Sequence, residues 1–339
     1  MSKSINIVEF LELSEIHPIL DIRTPLEFGQ GHIPGARNLP LFSNEERKIV
    51  GTIYKQEGRQ AAVLKGLELV GPRLPDIIKL AGKISKDNVF LLHCWRGGMR
   101  SSSLAWLFET YGFKTYTLKG GYKSFRNFVL EKFSLPQKLL VLGGRTGAGK
   151  TLVLYKLAEQ GEQIIDLEKL AHHKGSSFGA LGEEKQPSQE GFENKLAMEL
   201  HQLDNEKTIW LEDESRMVGN KVIPAALWEQ MRHAKVVYMD VSLNERVNYL
   251  VEEYGKFTKE ELIESTRRIG KRLGGQYVKL AIAAIEQGDL KTACEINLVY
   301  YDKAYDFGIK KRAAASIINC NFSDLKAGQI AKEIVRYAK

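Results

Sequence analysis

The chain is 339 residues long, 43% hydrophobic and 27% charged, with a formal net charge of +7. This composition excludes a disordered protein, and the length suits two ordinary domains, each with its own core. No apolar run approaches the roughly 20 residues of a membrane span, and the first residues lack the apolar segment of a signal peptide, so a cytoplasmic protein without a membrane partner is expected.

In chain order, Pro18–Arg23 reads as a short apolar strand ending on a charged pair. Thr24 and Pro25 then suit the N-cap and the first position of a helix. The Gly- and Pro-punctuated stretch 29–40 leads to a second short strand. Residues 47–75 read as largely helical, and Lys55, Arg59, Lys65 and Arg73 there suit phosphate contacts or a solvated face. Short strands alternating with helical segments argue for an α/β fold with a mainly parallel sheet, whose ligands sit at the carboxyl ends of strands. Charge is uneven: residues 1–133 carry 19 Lys and Arg against 13 Asp and Glu, the remainder 30 against 29. A basic first half suits an anionic partner such as RNA, or simply a solvated basic surface.

Val89–Leu92 reads as a buried strand and the run from Ser101 through Phe108 as the start of a helix, so Cys94 falls at a strand-to-helix turn. Gly97 and Gly98 let that turn bend tightly enough for backbone N–H groups to point at the sulfur. Arg96, Arg100 and a helix N-terminus favour an anion there and lower the thiol pKa. A lone Cys is more commonly a small core residue, but two glycines and two arginines around it make that the weaker reading. His93-Cys94-(x)5-Arg100 also fits the cysteine phosphatases, which need a thiolate in a nest of N–H groups. Cys294 and Cys320 lie far from Cys94, a reducing-compartment usage with no metal-ligand pair.

These stretches resemble the rhodanese domain. The resemblance rests on Asp21-x-Arg23, Glu27-Phe28, Gly31-His32-Ile33-x-Gly35-Ala36-x-Asn38-x-Pro40, the Cys94 loop, and Gly120-Gly121-Tyr122 after a strand at Thr115–Leu118. It implies a rhodanese-like domain over 1–133 whose cysteine carries a chalcogen atom, with residues 47–75 as a helical insertion.

After the connector Ser134–Gln137, the run from Lys138 to Gly143 reads as a strand, and Gly144-Arg145-Thr146-Gly147-Ala148-Gly149-Lys150-Thr151 completes a P-loop followed by a helix. In such a loop backbone N–H groups wrap a phosphate, Lys150 reaches its oxygens and Thr151 can ligate Mg²⁺. The span 137–339 is therefore expected to be a P-loop NTPase-like α/β domain. Ile209–Arg216 reads as a strand running into acidic residues, and Val236–Val241 as another strand. Arg267, Arg268, Lys271 and Arg272 fall at helical spacing, as in a phosphate-gripping lid, an RNA contact or a solvated face. The runs from Leu298 to Asp302 and from Ser316 to Cys320 read as late strands, and Ser323 to Ala338 as an amphipathic helix with Leu325, Ile330, Ile334 and Val335 inward.

The two halves together resemble the tRNA 2-selenouridine synthase family, over nearly the full chain. Asp166-Leu167-Glu168, Lys174 through Gly179, Gln186 through Gln189, Phe192-Glu193, Glu212-x-Glu214-Ser215-Arg216 and Tyr300-Tyr301-Asp302 carry the resemblance beyond the two main motifs. His172-His173-Lys174-Gly175 departs from an Asn-His-Arg-Gly pattern, which leaves the roles of His172 and His173 open. The resemblance implies replacement of the sulfur of wobble 2-thiouridine by selenium: geranyl diphosphate alkylates the sulfur, then selenophosphate supplies selenium. It implies that Cys94, Arg96 and Arg100 act on selenium, with Gly97, Gly98 and Met99 cradling selenophosphate. With no other phosphate-type loop in the sequence, Gly144–Thr151 is expected to grip the diphosphate, a nucleotide being the alternative ligand. Asp166, Ser176, Ser177, Glu212, Glu214, Ser215, Arg216, Arg268 and Arg272 are candidate substrate contacts. No tightly bound cofactor or protein metal site is expected; the co-substrates are selenophosphate and geranyl diphosphate, with Mg²⁺ as a companion ion. A tRNA bearing 2-thiouridine, a selenophosphate-producing enzyme and a monomeric state complete the expectation. The competing readings are a rhodanese-type sulfurtransferase or cysteine phosphatase fused to a P-loop kinase or ATPase, and a non-catalytic tRNA-binding protein.

Overall fold

Runs of consecutive apolar residues, rather than alternating ones, are what strands buried on both faces require, and they build two parallel sheets. The computed structural model describes residues 2–322 and 326–338. The chain divides into two units, Met1–Lys132 with Ser188–Met198, and Phe133–Pro187 with Glu199–Lys339.

The first unit contains β1 (Lys3–Ile5), β2 (Ile19–Asp21), β3 (Arg37–Asn38), β4 (Val89–His93) and β5 (Lys114–Leu118), in sheet order β1-β5-β4-β2-β3. Every pairing is parallel, and β4 is central. Thr24 caps helix Pro25–Gln30 with a reciprocal bond to Glu27, as the Thr-Pro start indicates. The stretch around 47–75 is helical, as Asn44–Gln56, Arg59–Val70 and the turn Gly71–Arg73. Residues 188–198 lie inside the span read as the second domain but pack with the first unit. The Asn194 amide donates to the His32 carbonyl at 2.9 Å and to the Tyr122 hydroxyl at 2.8 Å, and Arg126 pairs with Glu193.

The second unit contains β6 (Leu139–Gly144), β7 (Gln163–Ile165), β8 (Ile209–Glu212), the small hairpin of β9 (Met217–Val218) and β10 (Lys221–Val222), β11 (Lys235–Asp240) and β12 (Ile317–Asn321). Its main sheet runs β12-β11-β6-β8-β7, again parallel, with β6 in the middle. Leu298–Asp302 is not a strand: it lies within the long helix Leu290–Ile309. Four apolar residues and an aspartate have no period of their own; here Leu298, Tyr301 and Tyr305 recur at helical spacing and turn toward the Gly144 loop and a neighbouring cleft. Arg267 to Arg272 do not share one helix either, because Lys259–Arg268 ends at Ile269 before the short turn Gly270–Leu273. The C-terminal helix is Ala327–Ile334, continued as a 3₁₀ turn, with Ile330 and Ile334 buried; Ser323 to Leu325 lie outside the described residues. Among the described residues no helix is long and apolar enough to cross a membrane.

At the centre of the first unit lies a fully buried ion pair. Arg23 Nη2 donates to Asp21 Oδ2 at 2.6 Å and to the Gly31 carbonyl at 2.6 Å, and its guanidinium lies 3.7 Å above the Tyr122 ring. Removing one partner leaves the other charge buried and unpaired, at a cost of about 3–5 kcal/mol. Arg23→Met or Asp21→Asn should therefore lower the thermal midpoint by on the order of 10 °C. Calorimetry should also show Asp21→Leu/Arg23→Met losing less than the sum of the single changes.

Candidate active site

Each sheet directs its central strand into a loop that turns immediately into a helix. In the first unit β4 leads into Cys94–Gly98 and helix Met99–Tyr111. The glycine at 97 is required: its φ is +63°, and a Cβ there would lie 2.6 Å from the Leu118 carbonyl oxygen and 2.9 Å from the nitrogens of Gly120 and Gly121. That second turn braces the loop, since Tyr122 N–H donates to the Cys94 carbonyl at 2.8 Å and Lys123 N–H to the Trp95 carbonyl at 2.9 Å.

The Cys94 sulfur is 3.4 Å from the Ser101 hydroxyl, which itself bonds the Gly98 carbonyl at 3.0 Å. Burial pushes the thiol up, but the Ser101 hydroxyl, the Arg100 guanidinium and the N–H groups of Ser101 and Gly98 outweigh it, so Cys94 ionises below the usual cysteine range. Arg100 is held toward the loop by Glu27, at 3.1 Å. Arg96 and Met99 are exposed at the rim. Below the loop, burial holds His93 down at about 4, against the pull of the Asp21 carboxylate 3.7 Å away, so the ring is neutral near pH 7. It packs against Tyr122 rather than serving as the thiol's base. Burial pushes Cys294 up to about 11. Iodoacetamide at pH 7.5 should therefore modify Cys94 ahead of Cys294 by peptide mass spectrometry. Ser101→Ala should move the Cys94 profile to higher pH; an unmoved profile would remove the hydroxyl from the account.

In the second unit β6 leads into Arg145–Gly149 and helix Lys150–Ala158. Gly147, at φ +84°, passes so close to the helix Leu243–Tyr254 that a Cβ would lie 3.0 Å from the Arg246 carbonyl oxygen. Distant residues tie the loop down. Gly144 N–H donates to the Tyr305 hydroxyl at 2.8 Å, which donates to Asp213; Arg145 pairs with Asp306; Arg246 bonds the Thr146 carbonyl and Asp302. Lys150 Nζ lies over the loop, 3.1 Å from the Gly144 carbonyl. Only the glycine-lysine-threonine run was visible in the sequence; Tyr305, Arg246 and Asp213 come from segments whose proximity no local signal marks.

Acidic side chains gather beside Lys150 and Thr151. Thr151 Oγ1 donates to Glu168 Oε2 at 3.3 Å, and Asp166 caps helix Leu167–Ala171 while accepting from Tyr155. Glu212, at the end of β8, is fully buried. Burial, reinforced by neighbouring carboxylates, raises Glu168 to about 7 and Glu214 to about 8, and pushes Glu212 well above its ordinary range. Glu168 escaped the sequence reading as a site residue, although it lies two residues after Asp166. Ser176 borders an apolar cleft next to Thr146, and Ser177 N–H donates to the Tyr301 hydroxyl at 3.0 Å. Ser215 and Arg216 are exposed, with Ser215 bonded to the Met217 carbonyl. Arg268 is 3.6 Å from Glu264 and Arg272 donates to the Tyr300 hydroxyl, both at the surface. His172 ends its helix in the left-handed conformation, and His173 is half-buried, its pKa lowered by burial. Among the described residues no three His, Cys, Asp or Glu side chains form a metal-binding group.

Residues 137–332 match the family described as the tRNA 2-selenouridine synthase AAA domain, and residues 7–128 the rhodanese-like domain. The chain belongs to the tRNA 2-selenouridine synthase family. The family member from Sulfurovum sp. (strain NBC37-1) is 36% identical, with 91% of this chain and 93% of that protein aligned. Those of Shewanella denitrificans and Hydrogenovibrio crunogenus are each 35% identical; the alignments span 88% and 91% of this chain, and 90% and 94% of theirs. The Cys94 loop lies within the residues that match the rhodanese-like domain, and Gly144–Thr151 within those that match the AAA domain.

A carboxyl group whose pKa is raised on folding stabilises the fold below its unfolded value and loses that contribution as pH rises through the folded value. For Glu168 and Glu214 that loss falls between about pH 5 and 8. The thermal midpoint should therefore fall from pH 6.5 to 8.5, and Glu214→Gln should flatten the fall. An identical slope in wild type and variant would contradict the burial of this carboxyl.

Proposed function

We propose that this protein modifies tRNA, replacing the sulfur of wobble 2-thiouridine with selenium through an S-geranyl intermediate. The observation that carries the reading is the low-pKa Cys94 thiol inside an anion cradle, in a chain that also holds a phosphate loop. In the first stage the thiouridine sulfur attacks C1 of geranyl diphosphate, the C–O bond breaks and pyrophosphate leaves. Backbone N–H groups of the P-loop and Lys150 bind that diphosphate. The cleft beside Thr146, lined by Phe178, Leu250, Tyr254, Leu262 and Leu298, suits a hydrocarbon tail better than a nucleotide base.

In the second stage selenium attacks C2 of the base, geranylthiol leaves as the C–S bond breaks, and hydrolysis of the P–Se bond releases phosphate. S-alkylation makes this exchange feasible by converting a poor leaving group into a thiol. Cys94 lies against the selenium and positions it without forming an S–Se bond, with Arg96, Arg100 and the N–H groups of Gly97, Gly98 and Met99 cradling the selenophosphate, so that selenium leaves phosphorus only as the P–Se bond is hydrolysed. Protonated Glu214 spares an incoming diphosphate part of the repulsion that four carboxylates would otherwise exert. Thr151 and Glu168 supply the hydroxyl and carboxylate oxygens that would hold Mg²⁺, which would neutralise diphosphate charge.

Nucleoside mass spectrometry of tRNA incubated with the protein and both co-substrates tests the reading. Cys94→Ala should abolish selenouridine while S-geranylthiouridine still accumulates, and Lys150→Ala should lose geranylation and weaken geranyl diphosphate binding at least tenfold. Selenouridine formed by Cys94→Ala, or unchanged binding by Lys150→Ala, would overturn the corresponding role.

A further inference from the structure

We propose that the groove between the helical insertion and helix Met99–Tyr111 is a binding track for single-stranded RNA leading to the Cys94 loop, an assignment that rests on the tRNA-modifying function above. The groove encloses about 1210 Å³ within the first unit. One wall is Asn44–Gln56 and Arg59–Val70; the other is the helix whose N-terminus closes the Cys94 loop, and Met99 and Arg100 line the groove as well.

Charge and aromatic exposure agree on the occupant. Arg47, Lys48, Lys55 and Arg59 line the groove and make no ion pair among the described residues. By contrast Lys65 and Arg73, which the sequence made equal candidates, are taken by Glu68 and Glu46. The groove's acid, Glu27, is matched by Arg100. Four unpaired cations along one track favour a polyanion. Trp106 and Tyr54 also line it, 68% and 59% exposed. Large aromatic faces left in water inside a basic groove are what base stacking on a single strand uses, and stacking plus backbone charge is the usual design of single-strand sites. A duplex keeps its bases stacked on one another and offers those rings nothing, so the track selects an unpaired stretch such as a loop. Its end at Arg100 delivers that stretch to the thiol.

The test uses the full chain and fluorescence anisotropy with a ten-nucleotide oligo-uridine, an RNA duplex of equal length and poly-glutamate as probes. Lys55→Ala/Arg59→Ala should weaken oligo-uridine binding about tenfold or more and reduce the log–log salt slope by roughly one to two. Trp106→Ala should weaken it roughly 5- to 100-fold while leaving that slope unchanged. These are surface residues, and circular dichroism melting checks that each variant folds. Oligo-uridine affinity unaltered in both variants would overturn the proposal. So would duplex RNA or poly-glutamate binding as tightly as the single strand with Trp106→Ala indifferent, which would make the groove a site for any polyanion. Selenium incorporation is measured separately on intact tRNA, so its absence in the wild type would defeat the functional reading while the oligonucleotide result still judges the groove.

Discussion

The buried pair of Asp21 and Arg23 is the constraint on which the first unit depends. Neither charge meets water, so each must be satisfied by protein. That requirement recruits the Gly31 carbonyl and the face of Tyr122 for the guanidinium. It also recruits the backbone N–H of Arg23 for the carboxylate, with His93 facing it. Burial opposes ionisation of Asp21, but His93 and Arg23 together keep its carboxyl below the ordinary range. Through His93 and Tyr122 the pair reaches the start of the loop that carries Cys94: one residue precedes the cysteine, and the other donates its N–H to the cysteine's carbonyl. Loop geometry and core electrostatics are therefore one network.

The two units solve one physical problem twice. In a parallel sheet the carboxyl end of a central strand is flanked by neighbours that also end there, and a helix starting at that point presents unpaired N–H groups. A tight glycine turn between strand and helix aims those groups at one spot. In the first unit the Cys94 sulfur lies at that spot; in the second the Lys150 ammonium lies over the loop. The dressing differs with the charge to be handled. Around Cys94 a hydroxyl and a guanidinium stabilise a thiolate despite burial. Around Lys150 four acids are packed tightly enough that burial and mutual repulsion raise Glu168 to about 7 and Glu214 to about 8 and push Glu212 well above its ordinary range.

Both glycine-rich loops, the helical character of residues 47–75 and most strands of both sheets were legible in the amino-acid sequence, because each is a local pattern: an apolar run, a capping residue, a glycine where φ must be positive. The family was legible for the same reason, since its motifs are contiguous. Leu298–Asp302 reads as a strand in isolation because four apolar residues and an aspartate carry no period, and the helix around them is set by what Tyr301 and Tyr305 face. Arg267 to Arg272 were misjudged as one helical face because Ile269 interrupts the helix.

Sequence alone determined where the two strand–glycine-turn–helix loops lie along the chain, since backbone turns of that kind are written in adjacent residues. Only the tertiary structure decided which side chains tune them. Ser101 against Cys94, Tyr305 under Gly144, Glu168 and Glu214 beside Lys150, and the free Lys55 and Arg59 against the occupied Lys65 and Arg73 are outcomes of packing. Burial and pairing depend on what other segments bring within a few ångströms, and no local pattern encodes that.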